Sequence, residues 1–306
     1  MNKPDQVKKI LFVTLSNIGD VILTTPTLIR LGQKYRNATI DVIGDARSEI
    51  LYRYCPLIDK FYQKDKSKGL TGTFKLIKKV RSNSYDLAVD LRSDGLLYFI
   101  KADRRLYKIK DNNIHSIEKH FLSLKEGLTR LPDPIIWLGK KEEIGAKKIL
   151  SKTNGAILVI GLGANSSHKI WPAKYYAQLA NLLKKYFNSV MLIGDKKDDQ
   201  FASDFKKEYQ GSFTNLAGKL DLLTTAAVLK NADLFIGNDS GLGHLASAVK
   251  TKTFTIFGPG EPSRYKPWGI LAYYFQDKEM NIYNIKPKVI FNEIVNSFDY
   301  KKLHQK

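Results

Sequence analysis

Cys55 is the only cysteine among 306 residues, so no intrachain disulfide can form. A lone thiol suits a reducing compartment, and a cytoplasmic location is expected. No run of about 18 consecutive apolar residues occurs, which removes a spanning helix from the reading. The stretch from Met1 to Ile10 is polar and basic and runs straight into a short apolar segment. It has neither the length of a leader's apolar region nor a small-residue cleavage site, so no secretory leader is expected. Five histidines (His115, His120, His168, His244, His304) and one cysteine show no zinc-ligand spacing. There is no Gly-x-Ser-x-Gly elbow, no Walker A sequence and no Asp-x-Asp pair to hold a metal against a diphosphate. Acidic residues are also short: 30 Asp and Glu face 50 Lys and Arg, a net charge of +20. That balance attracts anions, which could be nucleic acid, an anionic membrane surface or a phosphorylated substrate. It can equally be compositional bias, because the excess is mostly lysine and spread along the chain.

The chain is comfortable for two domains, and at 43% hydrophobic and 26% charged it can build two cores. Short apolar runs alternate with amphipathic stretches. Strands are expected at Ile10–Leu15, Thr39–Gly44, Lys60–Gln63 and Tyr85–Leu91. Helices are expected after Ser16-Asn17-Ile18-Gly19-Asp20 to about Tyr35, and at Ser48–Tyr54, Leu70–Ser82 and Ser116–Leu128. A helix and a linker fill Lys140–Gly155. A second series then follows, with strands at Ala156–Gly161, Ser189–Gly194, Phe213–Leu216, Asp233–Gly237 and Thr253–Gly258. Its helices run from Pro172 to about Tyr186, then cover Asp198–Tyr209, Leu222–Asn231, Gly241–Val249 and finally Lys288–Tyr300. Such alternation implies right-handed βαβ units in doubly wound parallel sheets, an α/β class protein. Ligands in these folds bind beyond the carboxyl ends of the strands.

Four strand-to-helix junctions carry the polar residues of interest. The first is Leu15-Ser16-Asn17-Ile18-Gly19-Asp20-Val21, closing at Thr24-Thr25-Pro26. Gly19 would let the backbone approach a ligand, and the helix dipole favours a charge on Asp20. Asp20 could accept a proton from a substrate hydroxyl, or simply cap the helix. The second is Gly161-Leu162-Gly163-Ala164-Asn165-Ser166-Ser167-His168-Lys169-Ile170-Trp171-Pro172. Its glycine pair suits anion binding at a helix start, but the third glycine of a dinucleotide fingerprint is missing. Lys169 is either a fixed cation beside that loop or one of many solvated lysines. The third is Gly237-Asn238-Asp239-Ser240-Gly241-Leu242-Gly243-His244. Amides at Ser240 and Gly241 could hold a phosphate with His244 one turn behind, or the segment is an ordinary turn. The fourth is the Pro/Gly loop from Gly258 to Gly269, a rim or merely a long loop.

In this order and spacing the segments resemble glycosyltransferase family 9, the heptosyltransferases of lipopolysaccharide core assembly. The match rests on Leu15–Pro26, Lys169-Ile170-Trp171-Pro172, Asn215–Lys219, Asn238–Ala246, Phe257-Gly258-Pro259 and Arg264–Gly269, spread over residues 9–269. The resemblance implies a GT-B fold of two Rossmann-like domains facing across a cleft. Residues 1–152 would be the acceptor-binding domain, with a terminal helix at about 287–306 packing back on it, and 153–286 the nucleotide-sugar domain. It implies inverting transfer from a nucleoside-diphosphate sugar, such as ADP-heptose, with no metal or other cofactor. Asp20 would be the general base. Lys169, Asp239, Ser240, Gly241, His244 and Gly163 would hold the donor. Asn17, Gly19, Arg92 and Asp198 are weaker candidates. The partners implied are the donor and an anionic glycolipid or glycan acceptor at the inner membrane face, and no nucleic acid. Two departures concern sugar and acceptor identity. Gly161-Leu162-Gly163-Ala164 stands where the family often has His-Pro-Gly-Ala, and Arg92-Ser93-Asp94 replaces a polar stretch.

Two other classes fit parts of the pattern. A sugar-nucleotide epimerase or hydrolase would keep the donor site and need no acceptor base. A non-catalytic basic protein would bind duplex DNA with steep salt dependence, but no aromatic-interleaved basic platform or recognition helix is present.

Overall fold

The computed structural model describes residues 7–298, apart from the Lys66 side chain. The chain forms two compact units, Met1–Trp137 and Leu138–Lys306.

The first unit runs β1 (Lys9–Val13), α1 (Ile18–Lys34), β2 (Thr39–Gly44), α2 (Ala46–Tyr52), β3 (Ile58–Gln63), α3 (Gly69–Val80), β4 (Tyr85–Asp90), β5 (Ala102–Tyr107) and α4 (Ser116–Leu122). Its sheet has the order β3-β2-β1-β4-β5, every pair parallel. Ile10, Leu11, Phe12 and Val13 of the central strand are all fully buried. A parallel strand covered on both faces reads as such an unbroken apolar run.

The second unit runs α5 (Lys140–Leu150), β6 (Ile157–Gly161), α6 (Ala173–Leu183), β7 (Ser189–Ile193), α7 (Phe201–Glu208), β8 (Thr214–Asn215), α8 (Leu222–Lys230), β9 (Leu234–Asn238), α9 (Gly241–Ala248), β10 (Thr253–Phe257), α10 (Pro262–Tyr265), β11 (Ala272–Gln276) and α11 (Pro287–Ser297). The sheet order is β11-β10-β9-β6-β7-β8, again parallel throughout. In each sheet the chain winds outward from its first strand and then returns to that strand's other side. The direction therefore reverses between β1 and β4, and between β6 and β9. Loops leaving such a pair diverge to opposite faces and open a crevice at the carboxyl edge.

Several expectations need correction. The division falls at 137/138, not 152/153. Helix α5 belongs to the second unit, where Ala146 is buried and Glu143 pairs with Lys230 of α8 at 2.9 Å. The terminal helix was expected on the first domain. Instead α11 buries Ile290, Ile294 and Val295 in the core of the second unit, beside Tyr176, Ala180 and Leu183 of α6. The matching apolar stripes of the two helices decide that placement. The part of that expectation beyond residue 298 lies outside the described residues. Helix α4 stops at Leu122, and Lys125 just beyond it has φ +58°, a left-handed residue that turns the chain away. The stretch expected to be helical from Asp198 begins as a tight turn at Lys196–Gln200 before α7. Strands β5 and β11 were not anticipated. Both are sheet edges, and β5 carries Arg104 and Arg105. Charges are the usual protection of an exposed strand edge and erase its apolar signal. Among the described residues no helix is long and apolar enough to cross a membrane.

Candidate functional site

In the first unit Val13 and Asp90 are register partners at the carboxyl ends of β1 and β4. The loops that follow leave the reversal point side by side. Arg92 spans them: Nη2 donates to Ser16 Oγ at 2.7 Å and Nε to the Thr14 carbonyl at 3.2 Å. Its Nη1 is buried and has no hydrogen-bond partner among the described residues. Asp90 Oδ1 accepts from the amides of Arg92 and Ser93 at 2.9 and 2.8 Å, and its Oδ2 is buried without a partner. Burial raises the Asp90 pKa above the usual carboxylate value, although the two amides oppose the shift. A guanidinium with a spare buried donor at a reversal point is equipped to meet an anionic or hydroxyl-rich ligand.

Asn17, not Asp20, occupies the N-cap of α1, so capping does not explain Asp20. Asp20 is the third helical residue and half-buried, and Asn17 Nδ2 donates to its Oδ2 at 3.0 Å. That bond aims one carboxylate oxygen and leaves the other for a ligand. Gly19 sits between them in the first turn, partly exposed. Behind the turn, Thr24 bonds Thr14 at 2.9 Å and Tyr52 at 2.8 Å, all buried. Desolvation pushes the Tyr52 phenol up to about 12, so it stays protonated and available as a donor.

In the second unit the reversal point collects the other residues. Lys169 ends a single helical turn, Ser167–Lys169, on the loop after β6. Its Nζ lies 2.5 Å from Oδ2 of Asp239, which follows β9. The Lys169 side chain remains 34% exposed, so the ammonium is held and still accessible. Ser240 is the N-cap of α9 and makes no capping bond; its Oγ is buried without a partner among the described residues. Gly241 is the first helical residue, and His244 is buried in the first turn. The leading amides of a helix have no intrahelical acceptor and carry the positive dipole end, which suits a phosphate.

Two side chains and one glycine that were not singled out from the sequence fix this arrangement. Asn238 is fully buried: its Oδ1 accepts from the Trp171 amide at 2.8 Å and Tyr176 hydroxyl at 2.9 Å, and its Nδ2 donates to the Leu162 carbonyl at 2.8 Å. It locks the loops after β6 and β9 together. A Cβ on Gly260 would lie 2.8 Å from Asp239 Oδ2, so only glycine lets the loop after β10 approach the ion pair so closely. From the edge strand β11, Gln276 Nε2 donates to the carbonyls of Gly258 and Gly260 at 2.7 and 2.9 Å, holding that loop. Asn238 sits in a recognisable segment, but a single glutamine on an edge strand carries no signal.

Gly163 and Asp198 form a second cluster on the other side of β6. A Cβ on Gly163 would lie 2.0 Å from Asp198 Oδ1, and one on Gly194 would lie 2.5 Å from Oδ2. The carboxyl thus fills a glycine-walled slot at the ends of β6 and β7. Its Oδ2 accepts from the Asp195 amide at 3.0 Å, and its Oδ1 is buried without a partner among the described residues. Desolvation raises its pKa. The sequence candidates therefore fall into local groups: Asn17, Gly19 and Asp20, with Arg92 across the β1–β4 reversal; Lys169, Asp239, Ser240, Gly241 and His244; and Gly163 with Asp198. Among the described residues no three His, Cys, Asp or Glu side chains cluster as a metal ligand set.

Residues 102–289 match the model of the glycosyltransferase family 9 (heptosyltransferase). Among curated proteins, the chain is similar to lipopolysaccharide heptosyltransferase 3 of Escherichia coli, 26% identical over 287 residues, spanning 82% of this chain and 83% of that protein. A solved glycosyl transferase family 9 protein from Veillonella parvula superposes with a TM-score of 0.86 at 19% identity, covering 95% of this chain and 97% of that one. The structure of E. coli ADP-heptose lps heptosyltransferase II superposes with a TM-score of 0.80 at 22% identity, covering 96% and 99%. The fold is GT-B, an α/β architecture of two parallel sheets.

Proposed function

Because the chain belongs to glycosyltransferase family 9, the heptosyltransferases, and is a glycosyltransferase, we propose that it moves a heptose from ADP-heptose to a lipopolysaccharide-core acceptor. The reading is of an inverting, metal-independent reaction at the inner face of the cytoplasmic membrane. The first unit takes the acceptor and the second the donor. The observation that carries it is the Lys169–Asp239 ion pair at the β6–β9 reversal, beside the unpartnered Ser240 hydroxyl and the amide end of α9.

The acceptor hydroxyl oxygen attacks the anomeric carbon from the face opposite the leaving group. The bond from that carbon to the diphosphate oxygen breaks, and its electron pair leaves with ADP. Asp20 receives the hydroxyl proton. A carboxylate is a weak base, which suffices when the proton moves late, after the leaving group has largely departed. Charge grows on the departing diphosphate. Lys169 and the amides at Ser240 and Gly241 offset it, already oriented by Asp239 and by the helix. Asp198, in its slot, serves the nucleoside end of the donor. Arg92 offers its spare Nη1–H to the acceptor.

A ligand that binds only the folded state raises the apparent melting temperature with concentration. ADP-heptose and ADP are expected to shift it more than UDP- or GDP-sugars at equal concentration. With acceptor present, the product linkage should show inversion at the anomeric carbon, and turnover should persist in excess EDTA. A stabilising response to another nucleotide, a retained anomeric configuration, or activity lost in chelator and restored by a divalent ion would each overturn the corresponding part.

A further inference from the structure

Helix α3 is the least buried helix of the first sheet. Only Leu76 and Val80 of its twelve residues are fully buried, set against Leu96, Leu97 and Ile100 beneath it. Leu70 and Phe74, one turn apart, are 77% and 67% exposed. The short turn after β4 shows the same habit: Leu96 and Leu97 go inward while Tyr98 and Phe99 stand 79% and 56% exposed. Large apolar groups on a surface are unremarkable singly, but two exposed pairs on elements that share one buried cluster call for a partner.

The charges around this patch are mostly positive; Asp65, just before it, pairs with Lys68 at 3.1 Å. From residue 66 to 85 the sequence holds six basic residues, Lys66, Lys68, Lys75, Lys78, Lys79 and Arg81, and no acidic one. Lys68, Lys75 and Lys79 line a cleft of about 200 Å³ with Tyr62, Gln63 and Asp65, on the β3 side of the helix, so three cations there outnumber one carboxylate. At 100° per residue, Leu70, Phe74 and Ile77 then lie on the opposite shoulder, toward β4 and the Tyr98–Phe99 turn. Ile77 does pack against the cluster that holds Leu96 and Leu97. An apolar shoulder, a basic shoulder and an exposed outer face bearing Lys78 are the layout of a helix lying in the headgroup plane of a bilayer.

We propose that α3 and the Tyr98–Phe99 turn dock the chain on an anionic membrane leaflet. Leu70, Phe74, Tyr98 and Phe99 enter the headgroup–acyl boundary, and the lysines meet lipid phosphates. A protein partner would have to be acidic to match this rim, whereas an anionic leaflet supplies both the charge and the apolar layer. The location serves the first unit as the acceptor side, a role that rests on the proposed transfer. The segment opening α3 and the Tyr98–Phe99 turn leave the carboxyl edge of the sheet on which Asp20 and Arg92 stand. Lys64, at the exit of β3, bonds Asp94, after β4, at 2.5 Å and ties the two loops.

The test is flotation of the full chain with vesicles of phosphatidylcholine alone or with about 30% phosphatidylglycerol. The wild type is expected to float only with the anionic vesicles, and to release as salt rises. Leu70→Glu/Phe74→Glu and Lys75→Glu/Lys78→Glu should each lower partition by about tenfold or more. The charge-matched control Lys147→Glu/Lys148→Glu, on α5, should not. All these residues lie on helix surfaces, and unchanged melting and unchanged ADP affinity verify folding. Absence of flotation by the wild type, or equal partition of all variants, overturns the proposal. Transfer to a water-soluble acceptor without acyl chains separates the two readings. The Leu70→Glu/Phe74→Glu chain should retain that transfer while losing the vesicles. Failure of the wild type to transfer at all would remove the functional reading and leave the membrane result standing.

Discussion

Lys169 and Asp239 are 70 positions apart in the chain and 2.5 Å apart in space. The sheet order makes the pair: β6 and β9 are neighbours although β7 and β8 come between them in sequence. Each residue follows its strand by a loop, and Asn238 stitches those loops together. A diphosphate binding here would compete with Asp239 for an ammonium that is already in position.

Lys169→Ala is expected to weaken ADP binding by about 1.5–3 kcal/mol, roughly 10- to 150-fold in Kd, the worth of a charge-assisted hydrogen bond. Asp239→Asn should cost less, because the lysine survives but is less well held. Calorimetric titration with ADP measures both, and an unchanged Kd for Lys169→Ala removes the residue from the donor site.

Asp20→Asn should reduce turnover by about 100-fold or more, the usual worth of a general base, with ADP affinity unaltered. Asn17→Ala, which removes the 3.0 Å bond that aims the carboxylate, should fall between that variant and wild type. Near-normal turnover of Asp20→Asn would mean the proton goes elsewhere.

The Gly163–Asp198 slot can be tested by a double-mutant cycle. Gly163→Ala drives a methyl into the Asp198 carboxyl, which lies 2.0 Å from the new atom, and should destabilise the chain by about 1–3 kcal/mol. In an Asp198→Ala background the obstacle is gone and the same change should be nearly neutral. Equal costs in both backgrounds, by urea unfolding, would place the strain elsewhere.

His120 of α4 is buried, with Nδ1 3.4 Å from the Leu23 carbonyl, and desolvation lowers its pKa from 6.5 to about 3. Between those values the unfolded chain binds a proton that the native chain refuses. Stability contributed by neutral His120 is therefore full above 6.5 and lost as pH falls toward 3, at up to about 1.4 kcal/mol per pH unit. The advantage of wild type over His120→Gln in unfolding midpoint should shrink between about pH 7 and pH 5. A difference independent of pH would show that the imidazole is not held neutral.

Much of this molecule was legible in its sequence because parallel strands covered on both faces leave unbroken apolar runs, as at Ile10–Val13 and Ile157–Ile160. The polar residues after those runs, Asn17 to Asp20 and Lys169, stand at strand ends for the same reason. Two of the four edge strands escaped because β5 presents arginines and β11 half-exposed aromatics, neither of which follows the pattern of a buried strand. Gln276 and Gly260 escaped because their roles are distances between loops, which no local pattern encodes.

The sequence by itself determined the two α/β cores, the alternation of strands and helices apart from β5 and β11, and the charge excess, since each depends on local periodicity or composition. Only the tertiary structure decided that Asn17 rather than Asp20 caps α1, that α11 closes the second unit, and that Lys169 meets Asp239. Those outcomes turn on which buried surfaces match and which loops a sheet reversal brings together. Such contacts join residues far apart in the chain, where short-range propensity has no say.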